Sequence, residues 1–341
     1  MTAVPQIPSE MPAPLTIVVI HRRRPEAAIL TVGALREQCP GLRVIIVDNA
    51  SSAADRALLA TIDDIEIIEL PENIGFGPAA NVGLRRWLAD GLGDWCLICP
   101  HDAMVEPECL ERLLAAVVAR PRAGMASAEY ADQGQYGQAG NRVKPAIHPL
   151  LGTFLVKAEV ERGWEDAAHP HGTMMVVGRA CLDDIGLFDE RYFAYSEEAD
   201  LAVRATRAGW GVGIVWGAVV RNAGMTSEIG VPEYLMQRNT LMLVRDHFGR
   251  GAATGMFLAA FWTCALGTLV PSKAPLYWHP TARWLALYDF LLGRDGPPNP
   301  RLIRAAQLAQ LEAAAASAKA SASSVPGTTL SSSPTDSATS S

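Results

Sequence analysis

Three carboxylates lie close together in the second half of the sequence: Glu197, Glu198 and Asp200. Repulsion between neighbouring carboxylates raises the pKa of at least one of them, and a raised pKa suits a general base that removes a proton from a hydroxyl. Acidic residues also favour the first turn of a helix, so a solvated helix start is the competing interpretation. These residues alone leave both interpretations open.

Further polar side chains follow apolar runs earlier in the chain. Asp48 and Asn49 offer fixed donors and acceptors for the hydroxyls of a ribose or the edge of a base. His101 and Asp102 end another apolar run, where the carboxylate could hold a divalent cation bound to a diphosphate. Each pair alone is a weak signal, because such residues are common after strands.

A segment with two glycines lies between these points and includes Asn73, Gly75 and Asn81. Its glycines let the backbone approach a ligand at a helix N terminus. The alternative is a glycine turn in which Asn81 only satisfies backbone groups.

Alternating strand and helix patterns separate these polar groups. Apolar runs and helical spacing predict strands over 15–20, 43–47, 66–70 and 95–99, with helices over 25–38, 53–62 and 77–90. Later patterns predict strands over 172–177 and 212–220, helices over 179–189 and 197–208, and an irregular segment with a short hairpin over 129–166. The alternation predicts an α/β fold with a doubly wound, mostly parallel sheet that binds ligands at its strand ends.

Residues 231–312 are predicted to form a helical C-terminal extension. The uncharged run 252–270 is at the lower limit for spanning a bilayer and is interpreted as a buried or interfacial helix. The run 283–294 is amphipathic, which suits packing or contact with a membrane surface. Residues 1–14 predict a flexible leader, and residues 313–341, rich in Ala and Ser, predict a disordered tail.

Composition and charge narrow the class of protein. Of 341 residues, 49% are hydrophobic and 19% are charged, which is enough apolar material for a core. The net charge of −7 predicts no nucleic-acid partner, although the basic run 22–24 could meet a phosphate. The six cysteines are scattered and no signal peptide precedes the first apolar run, so free thiols and a cytoplasmic location are expected.

Taken together and in order, these motifs resemble the family 2 glycosyltransferases with a GT-A fold, in their rhamnosyltransferase-like or galactofuranosyltransferase-like branch. The supporting segments are V-D-N-A-S at 47–51, N-I-G-F-G-P-A-A-N-V-G at 73–83, D-A-M-V-E-P at 102–107 and G-L-F-D-E-R-Y-F-A-Y-S-E-E-A-D-L-A-V-R-A at 186–205. The resemblance implies a nucleotide-sugar and acceptor domain over 15–230, built as a GT-A variant of the Rossmann-like sheet.

The resemblance implies a nucleotide-sugar site and a catalytic site. Asp48 would hold the base or ribose, and the rest of the nucleotide-sugar site would comprise Asn49, Asn73, Gly75, Asn81, His101 and Asp102. Glu198 matches the catalytic base, with Glu197 shaping the acceptor site and Asp200 orienting the following helix. Asp102 matches the last acidic residue of a metal-binding D-x-D motif, which implies a divalent cation, Mn²⁺ or Mg²⁺.

Two departures from the family pattern weaken this metal site. Pro100 stands at the first position of the D-x-D motif, and Asn222 stands where the family often has a histidine ligand. An amide oxygen binds a hard cation more weakly than imidazole binds manganese, so metal dependence is in doubt. Arg221 is the alternative source of positive charge for the leaving diphosphate.

The resemblance implies an inverting transferase of the hexosyltransferase type, which moves a sugar from a nucleoside-diphosphate sugar to a glycan or polyprenyl-linked acceptor in cell-envelope polysaccharide synthesis. A peripheral contact with the inner face of the cell membrane would suit such an acceptor. The alternative is a non-catalytic nucleotide-sugar-binding module with a decayed metal site. An oxidoreductase with a dinucleotide fold is disfavoured, because the glycine segment does not follow the first strand.

Overall fold

The computed structural model describes residues 14–131, 142–222, 230–273 and 278–308. The predicted leader up to residue 13 and the predicted tail from residue 313 lie outside the described residues.

The first part of the chain alternates strands and helices, which confirms the sequence prediction. Its elements are β1 (Thr16–His21), α1 (Pro25–Gln38), β2 (Arg43–Asn49), α2 (Ala53–Leu59), β3 (Ile65–Leu70), α3 (Phe76–Asp90) and β4 (Trp95–Pro100). α1 begins at Pro25, whose missing N–H is not needed at the start of a helix. Ser52 and Asp55 form a capping box that fixes the start of α2.

The next part contains several strands that the sequence patterns did not predict. Its elements are β5 (Ala103–Val105), α4 (Cys109–Val118), β6 (Ala123–Tyr130), β7 (Val143–His148), β8 (Gly152–Lys157), β9 (Gly163–Asp166), β10 (Met175–Gly178), α5 (Arg179–Ile185), α6 (Glu197–Arg207) and β11 (Gly211–Asn222). The predicted hairpin is confirmed as β7 paired with β8. The irregular interpretation of 129–166 is wrong for these strands, because half-exposed strands such as β7 and β8 lack a continuous apolar run.

The central sheet has the strand order β3-β2-β1-β4-β10-β6-β11-β5, with β9 paired to β11. The four strands from β3 to β4 are parallel, whereas β10 runs antiparallel to both of its neighbours. β1 has β2 on one side and β4 on the other, so the strand order reverses there. Ligands of open α/β sheets bind in the crevice at the carboxyl ends of strands that flank such a reversal.

Helices cover both faces of this sheet. In β1, Ile17 and Val19 pack into a core with α1 and α4, whereas Val18 and Ile20 pack into a second core with α3, α5 and α6. All residues of β1 are buried, as expected for a parallel strand between two helical layers. All six cysteines are buried free thiols, in agreement with the expectation for this chain.

Three long helices follow the sheet: α7 (Val231–Phe248), α8 (Arg250–Leu269) and α9 (Pro280–Leu291). A further helix covers 300–308. The side chain of Arg238 on α7 is fully buried and donates to the hydroxyl of Tyr234, which in turn donates to Asp289 on α9 at 2.7 Å. These hydrogen bonds join α7 to α9. They also give each buried polar group a partner in place of the water it loses on burial.

Two contacts join α7 to the segment around α6. The amide nitrogen of Asn239 donates to the carbonyls of Ala194 and Tyr195, at 2.9 and 2.8 Å. Near the other end of α7, Nε2 of His247 lies 2.7 Å from Asp200 on α6. The helices that follow the sheet therefore hold the start of α6 in place.

Gly75 lies at the start of α3, in close contact with the segment before α6. Its φ is +98°, in the left-handed region, and the amide of Phe76 donates to the carbonyl of Phe193 at 2.7 Å. A Cβ atom at position 75 would overlap that carbonyl. Only glycine fits both the backbone angle and the space.

We expect Gly75→Ala to lower the free energy of unfolding by at least about 2 kcal/mol, because it combines an unfavourable φ with a backbone clash. Chemical denaturation measures the effect. Gly91→Ala is the matched control, since Gly91 also has a positive φ, +66°, but has open space around its Cβ position. Equal losses in the two variants would show that the contact with Phe193 contributes nothing.

Candidate functional site

The carboxyl ends of β2 and β3 border a cleft with a volume of about 460 Å³. Its lining residues are Ala50, Ser51, Arg56, Glu69, Leu70 and Pro71. The lining combines a hydroxyl, a guanidinium, a carboxylate and apolar groups, which suits a ligand with both ring faces and hydroxyls. Arg56 and Glu69 were missed by the sequence analysis, because neither residue belongs to a recognisable motif.

Asp48 lies behind this cleft and is fully buried. Nδ1 of His21 donates to its carboxylate at 3.0 Å, and Nε2 of His21 accepts from the amide of Arg24 at 3.2 Å. The amide of Ser51 and the guanidinium of Arg56 lie 3.4 and 3.7 Å from the other carboxylate oxygen. Asp48 therefore holds two cleft residues in place and has no exposed surface of its own.

His21 was missed by the sequence analysis. It is the last residue of β1 and pairs in register with Asp48 of β2. The available signal was a polar side chain directly after a β-branched run, at the end of a buried strand. Its imidazole is the partner that lets a carboxylate be buried at this strand end.

Two predicted amide residues bind the backbone of neighbouring loops. Asn49 donates to the carbonyl of Gly75 at 2.8 Å and accepts from the amide of Ile74 at 2.9 Å. Asn81 is bound to both the amide and the carbonyl of Phe188, at 3.0 and 2.9 Å. Both side chains are buried and position loops, which is the alternative that the sequence left open for Asn81.

Asn73 and Gly75 shape the loop before α3. The side-chain oxygen of Asn73 accepts from the amide of Gly75 at 3.1 Å, so the loop closes on itself. The first turn of α3 packs against Glu197 of α6. A Cβ atom at Gly77 would lie 3.2 Å from the Glu197 side chain. This loop therefore connects the cleft beside β2 with the glutamates of α6.

Asp102 and Asn222, the two residues that the resemblance assigned to a metal site, contact each other. The amide nitrogen of Asn222 donates to one oxygen of Asp102 at 3.2 Å. The guanidinium of Arg24, at the start of α1, donates to the other oxygen, also at 3.2 Å. Arg24 was named in the sequence only as part of a basic run, because nothing in its spacing links it to a residue 78 positions later.

His101 precedes Asp102 and lies 5.4 Å from the ring of His21, edge to face. Its Nδ1 faces the carbonyl of Ile20 at 3.3 Å, and its buried Nε2 has no hydrogen-bond partner. Burial lowers the pKa of His101, so the ring is neutral at physiological pH. An unpaired ring nitrogen of this kind can accept a hydrogen bond from a ligand hydroxyl.

Arg221 lies one residue before Asn222 and pairs with Glu106 at 2.6 Å. Its backbone is on β11 opposite Met104 of β5. Arg221 therefore already has an acidic partner, as Arg24 does in Asp102, and a role toward a diphosphate would use its remaining N–H donors. Glu106 was not singled out as a partner by the sequence analysis.

The glutamate pair begins α6. Tyr195 and Ser196, just before it, both have positive φ values, +67° and +73°, a conformation that costs energy in non-glycine residues. Glu197 is buried, whereas Glu198 is partly exposed, and one carboxyl oxygen of each is buried without a hydrogen-bond partner. Burial first, and then the charge of Glu198, raise the pKa of Glu197 well above its ordinary value.

The carboxyl group of Glu198 also contributes to the rise in the pKa of Glu197. Asp200, the third acidic residue, has different partners: Arg204 on the same helix at 2.9 Å and His247 on α7. Asp200 thus orients α6, in line with the role that the sequence assigned to it.

The family model described as glycosyl transferase family 2 matches residues 16–185. The chain is a member of glycosyl transferase family 2. It is 27% identical over 189 residues to an N-acetylglucosaminyl-diphospho-decaprenol L-rhamnosyltransferase of Mycobacterium tuberculosis, a match that covers 49% of this chain and 62% of that protein. It is 20% identical to a low-salt glycan biosynthesis hexosyltransferase of Haloferax volcanii, over 58% of this chain and 64% of that protein.

Solved glycosyltransferase structures share the fold at low sequence identity. GalNAc-T7, solved with UDP, GalNAc and Mn²⁺, superposes with a TM-score of 0.55 at 11% identity, over 82% of this chain and 56% of that chain. A mannosyltransferase of Pyrobaculum calidifontis, solved with GDP-Man and Mn²⁺, has a TM-score of 0.50 at 16% identity, over 82% and 85% of the two chains. These similarities confirm the predicted GT-A type of fold.

In this family 2 domain, the residues around Asp102 do not fit a divalent cation. Asp102 is the single carboxylate of the motif, since Pro100 replaces the first acidic residue, and both its oxygens accept hydrogen bonds from protein groups. The guanidinium of Arg24 places a positive charge beside it, which would repel a metal ion. Among the described residues, no group of three His, Cys, Asp or Glu side chains could hold a metal.

The raised pKa of Glu197 predicts a pH-dependent contribution to the stability of this glycosyl transferase family 2 domain. The native state favours protonated Glu197, so its contribution is complete below the ordinary pKa of 4.5 and is lost as the pH rises through the raised value. We expect Glu197→Gln to gain stability relative to the wild type as the pH rises above about 4.5, by at most about 1.4 kcal/mol per pH unit.

Chemical denaturation at several pH values measures this difference. Glu72→Gln, which removes an exposed carboxylate, controls for the loss of one negative charge. A difference between Glu197→Gln and the wild type that stays constant with pH would contradict the raised pKa.

Proposed function

We propose that this chain is an inverting glycosyltransferase that moves a sugar from a nucleoside-diphosphate sugar to a hydroxyl of a saccharide acceptor. The observation that supports this most directly is the glutamate pair of α6, which one loop connects to the cleft at the ends of β2 and β3. The cleft takes the nucleoside, beside Ser51 and Arg56, with Asp48 holding both residues in position. The unpaired Nε2 of His101 accepts a hydrogen bond from a donor hydroxyl.

In the proposed reaction, Glu198 acts as the general base. Burial raises the pKa of Glu197 and favours its protonated form, so the more exposed Glu198 is the better placed of the two to act as the base. Glu198 removes the acceptor proton as the hydroxyl oxygen attacks the anomeric carbon from the face opposite the leaving group. The bond from that carbon to the diphosphate breaks with its electron pair, so the configuration inverts.

The acceptor is proposed from the name of one relative. The Mycobacterium tuberculosis protein is named for an acceptor in which N-acetylglucosamine is linked through a diphosphate to decaprenol. We propose the same class for this chain, a polyprenyl-linked saccharide of cell-envelope polysaccharide synthesis, used at the cytoplasmic face of the membrane. The match spans less than two thirds of that relative, so the acceptor class is an inference from similarity.

A nucleotide-sugar-binding module without catalysis is the second candidate. Pro100 and the guanidinium of Arg24 beside Asp102 favour it, since a metal-dependent transferase would need a carboxylate site without a competing positive charge. Turnover of the bound donor separates the two candidates. A module binds the donor but does not transfer its sugar.

A thermal-shift screen of UDP-, dTDP- and GDP-sugars identifies the donor, since a ligand that binds the native state raises the melting temperature. With that donor and a polyprenyl-linked acceptor, we expect Glu198→Gln to lower kcat by about 100-fold or more, because the base is removed while side-chain size is kept. Donor affinity should stay within a few-fold, since the base acts on the acceptor.

Glu190→Gln is the matched control for this substitution. Glu190 lies on the same segment before α6 but bonds to Asn81 and Arg85, so kcat should change little. Near-normal kcat in Glu198→Gln would exclude Glu198 as the base. A parallel loss of donor affinity would point to a structural role and make Glu197 the next residue to test.

We also propose that α8 contacts the membrane that carries the acceptor. It is long and apolar enough to cross a bilayer by length and composition. Only 22% of its most apolar window is buried inside the protein, so most of this apolar surface is exposed. Its exposed large side chains are Leu258, Phe261, Trp262, Leu266 and Leu269. A helix with such a face can bind at the bilayer interface as a peripheral element.

We expect the double variant Leu266→Ser and Leu269→Ser to bind vesicles at least about tenfold more weakly than the wild type, because each leucine contributes roughly 1.5–3 kcal/mol when fully buried. Sedimentation with vesicles of bacterial lipids measures the partition. The matched control is Leu30→Ser with Leu58→Ser, two exposed leucines outside α8. Retention in membranes at high pH would contradict peripheral binding and indicate a spanning helix.

A further inference from the structure

We infer that Arg24 supplies the positive charge that stabilises the leaving diphosphate, in the position where a metal-dependent relative holds a divalent cation. This inference rests on the proposed glycosyltransferase function. It also replaces Arg221, which the sequence suggested for this role.

The fold places Arg24 at the reversal of strand order. Arg24 directly precedes α1 and follows β1, and its guanidinium reaches Asp102, just after β4. β1 and β4 are neighbouring parallel strands, paired to Ile20 and Pro100 at this end. The crevice between two such strand ends is where open α/β sheets bind the phosphates of their ligands.

Protein contacts on both sides fix the arginine. Its backbone amide donates to His21, and its side chain donates to Asp102, whose other oxygen accepts from Asn222. The side chain of Arg24 is 35% exposed, so it borders solvent while its partner is largely buried. A guanidinium has five N–H donors in a planar fork, which can hold a carboxylate and a phosphate together.

The contacts of Asp102 fit a positioning role better than metal binding. A carboxylate oxygen that accepts one hydrogen bond can still bind a metal, but one oxygen of Asp102 is bound to the guanidinium of Arg24, whose positive charge repels a divalent cation. Pro100 removes the second carboxylate that would offset a doubly charged ion, and a single carboxylate is enough to orient a singly charged guanidinium. Pro100 in the D-x-D motif and Asn222 in place of a histidine are therefore both consistent with a site that uses a guanidinium and no metal.

Neighbouring arginines are less suited to the diphosphate. Arg221 is bound to Glu106 at 2.6 Å, and its neighbour Asn222, not Arg221 itself, contacts Asp102. Arg56 contacts both Asp48 and Glu69 beside the nucleoside cleft. The guanidinium of Arg24, in contrast, binds Asp102 where β1 and β4 end side by side.

The test is calorimetric binding of the free nucleoside diphosphates UDP, dTDP and GDP, each measured with EDTA and with added Mn²⁺ or Mg²⁺. We expect the wild type to bind one of them with the same affinity, within about twofold, in both conditions. Arg24→Gln should weaken binding by about 10- to 100-fold, the usual size of a charge-assisted hydrogen bond. Arg36→Gln, at the other end of α1, removes the same charge and should bind like the wild type.

Asp102→Asn distinguishes the arginine from a metal. If Arg24 is the cation, nucleotide affinity in EDTA stays equal or rises, because asparagine keeps an acceptor oxygen that orients the guanidinium but no longer neutralises its charge. If Asp102 binds a metal, the same variant loses affinity and the loss appears only with Mn²⁺ or Mg²⁺. This variant and Arg24→Lys, which keeps the charge and should retain part of the affinity, keep the test decisive if Arg24→Gln does not fold.

Wild-type binding that depends on the metal, with normal binding by Arg24→Gln, would overturn the role of Arg24 and leave the proposed function intact. No binding of any nucleoside diphosphate to the wild type in either condition would overturn the proposed function and this inference together.

Discussion

The site depends on one close backbone contact, between Gly75 and Phe193. The amide of Phe76 donates to the carbonyl of Phe193, and the missing side chain at position 75 leaves room for that carbonyl. This contact joins the loop after β3 to the segment before α6. Because Asn49 of β2 holds the same loop, the cleft and the glutamate pair are fixed to one another by a few hydrogen bonds. The chemistry proposed here needs that fixed relation, since the base and the nucleotide must act on one sugar.

Much of the fold could be predicted from the sequence, because parallel strands buried on both faces leave a continuous β-branched pattern. β1 and β2 are of this kind, and the helices between them have clear starts, such as Pro25. The short strands β5 and β9 were harder to predict, because both pair with β11, which is far away in the chain. β9, for example, pairs with β11 across about fifty residues and has no apolar run of its own.

The site could be predicted in part for a similar reason. Asp48 and Asp102 could be predicted because each follows a buried strand, at the carboxyl edge of the sheet where ligands bind. The glutamate pair could be predicted because it forms an acidic run. Which atoms these side chains contact is decided by tertiary packing. His21 therefore emerged only from the structure, as did the contact of Arg24 with Asp102. Asn81, predicted to line the nucleotide pocket, binds the backbone of Phe188 instead. The sequence shows that an asparagine is present but not whether its side chain binds a ligand or the backbone of a loop.

Tyr195 and Ser196, the two left-handed residues before α6, set a limit on how stable this protein can become. Each conformation costs of order 1–2 kcal/mol in a residue with a side chain, and Asn239 compensates by binding the carbonyl of Tyr195. Glycine at either position would relieve the native strain, yet it would also widen the unfolded ensemble and loosen the turn that aims the glutamates. Selection for thermal tolerance and selection for turnover therefore act in opposite directions on this turn.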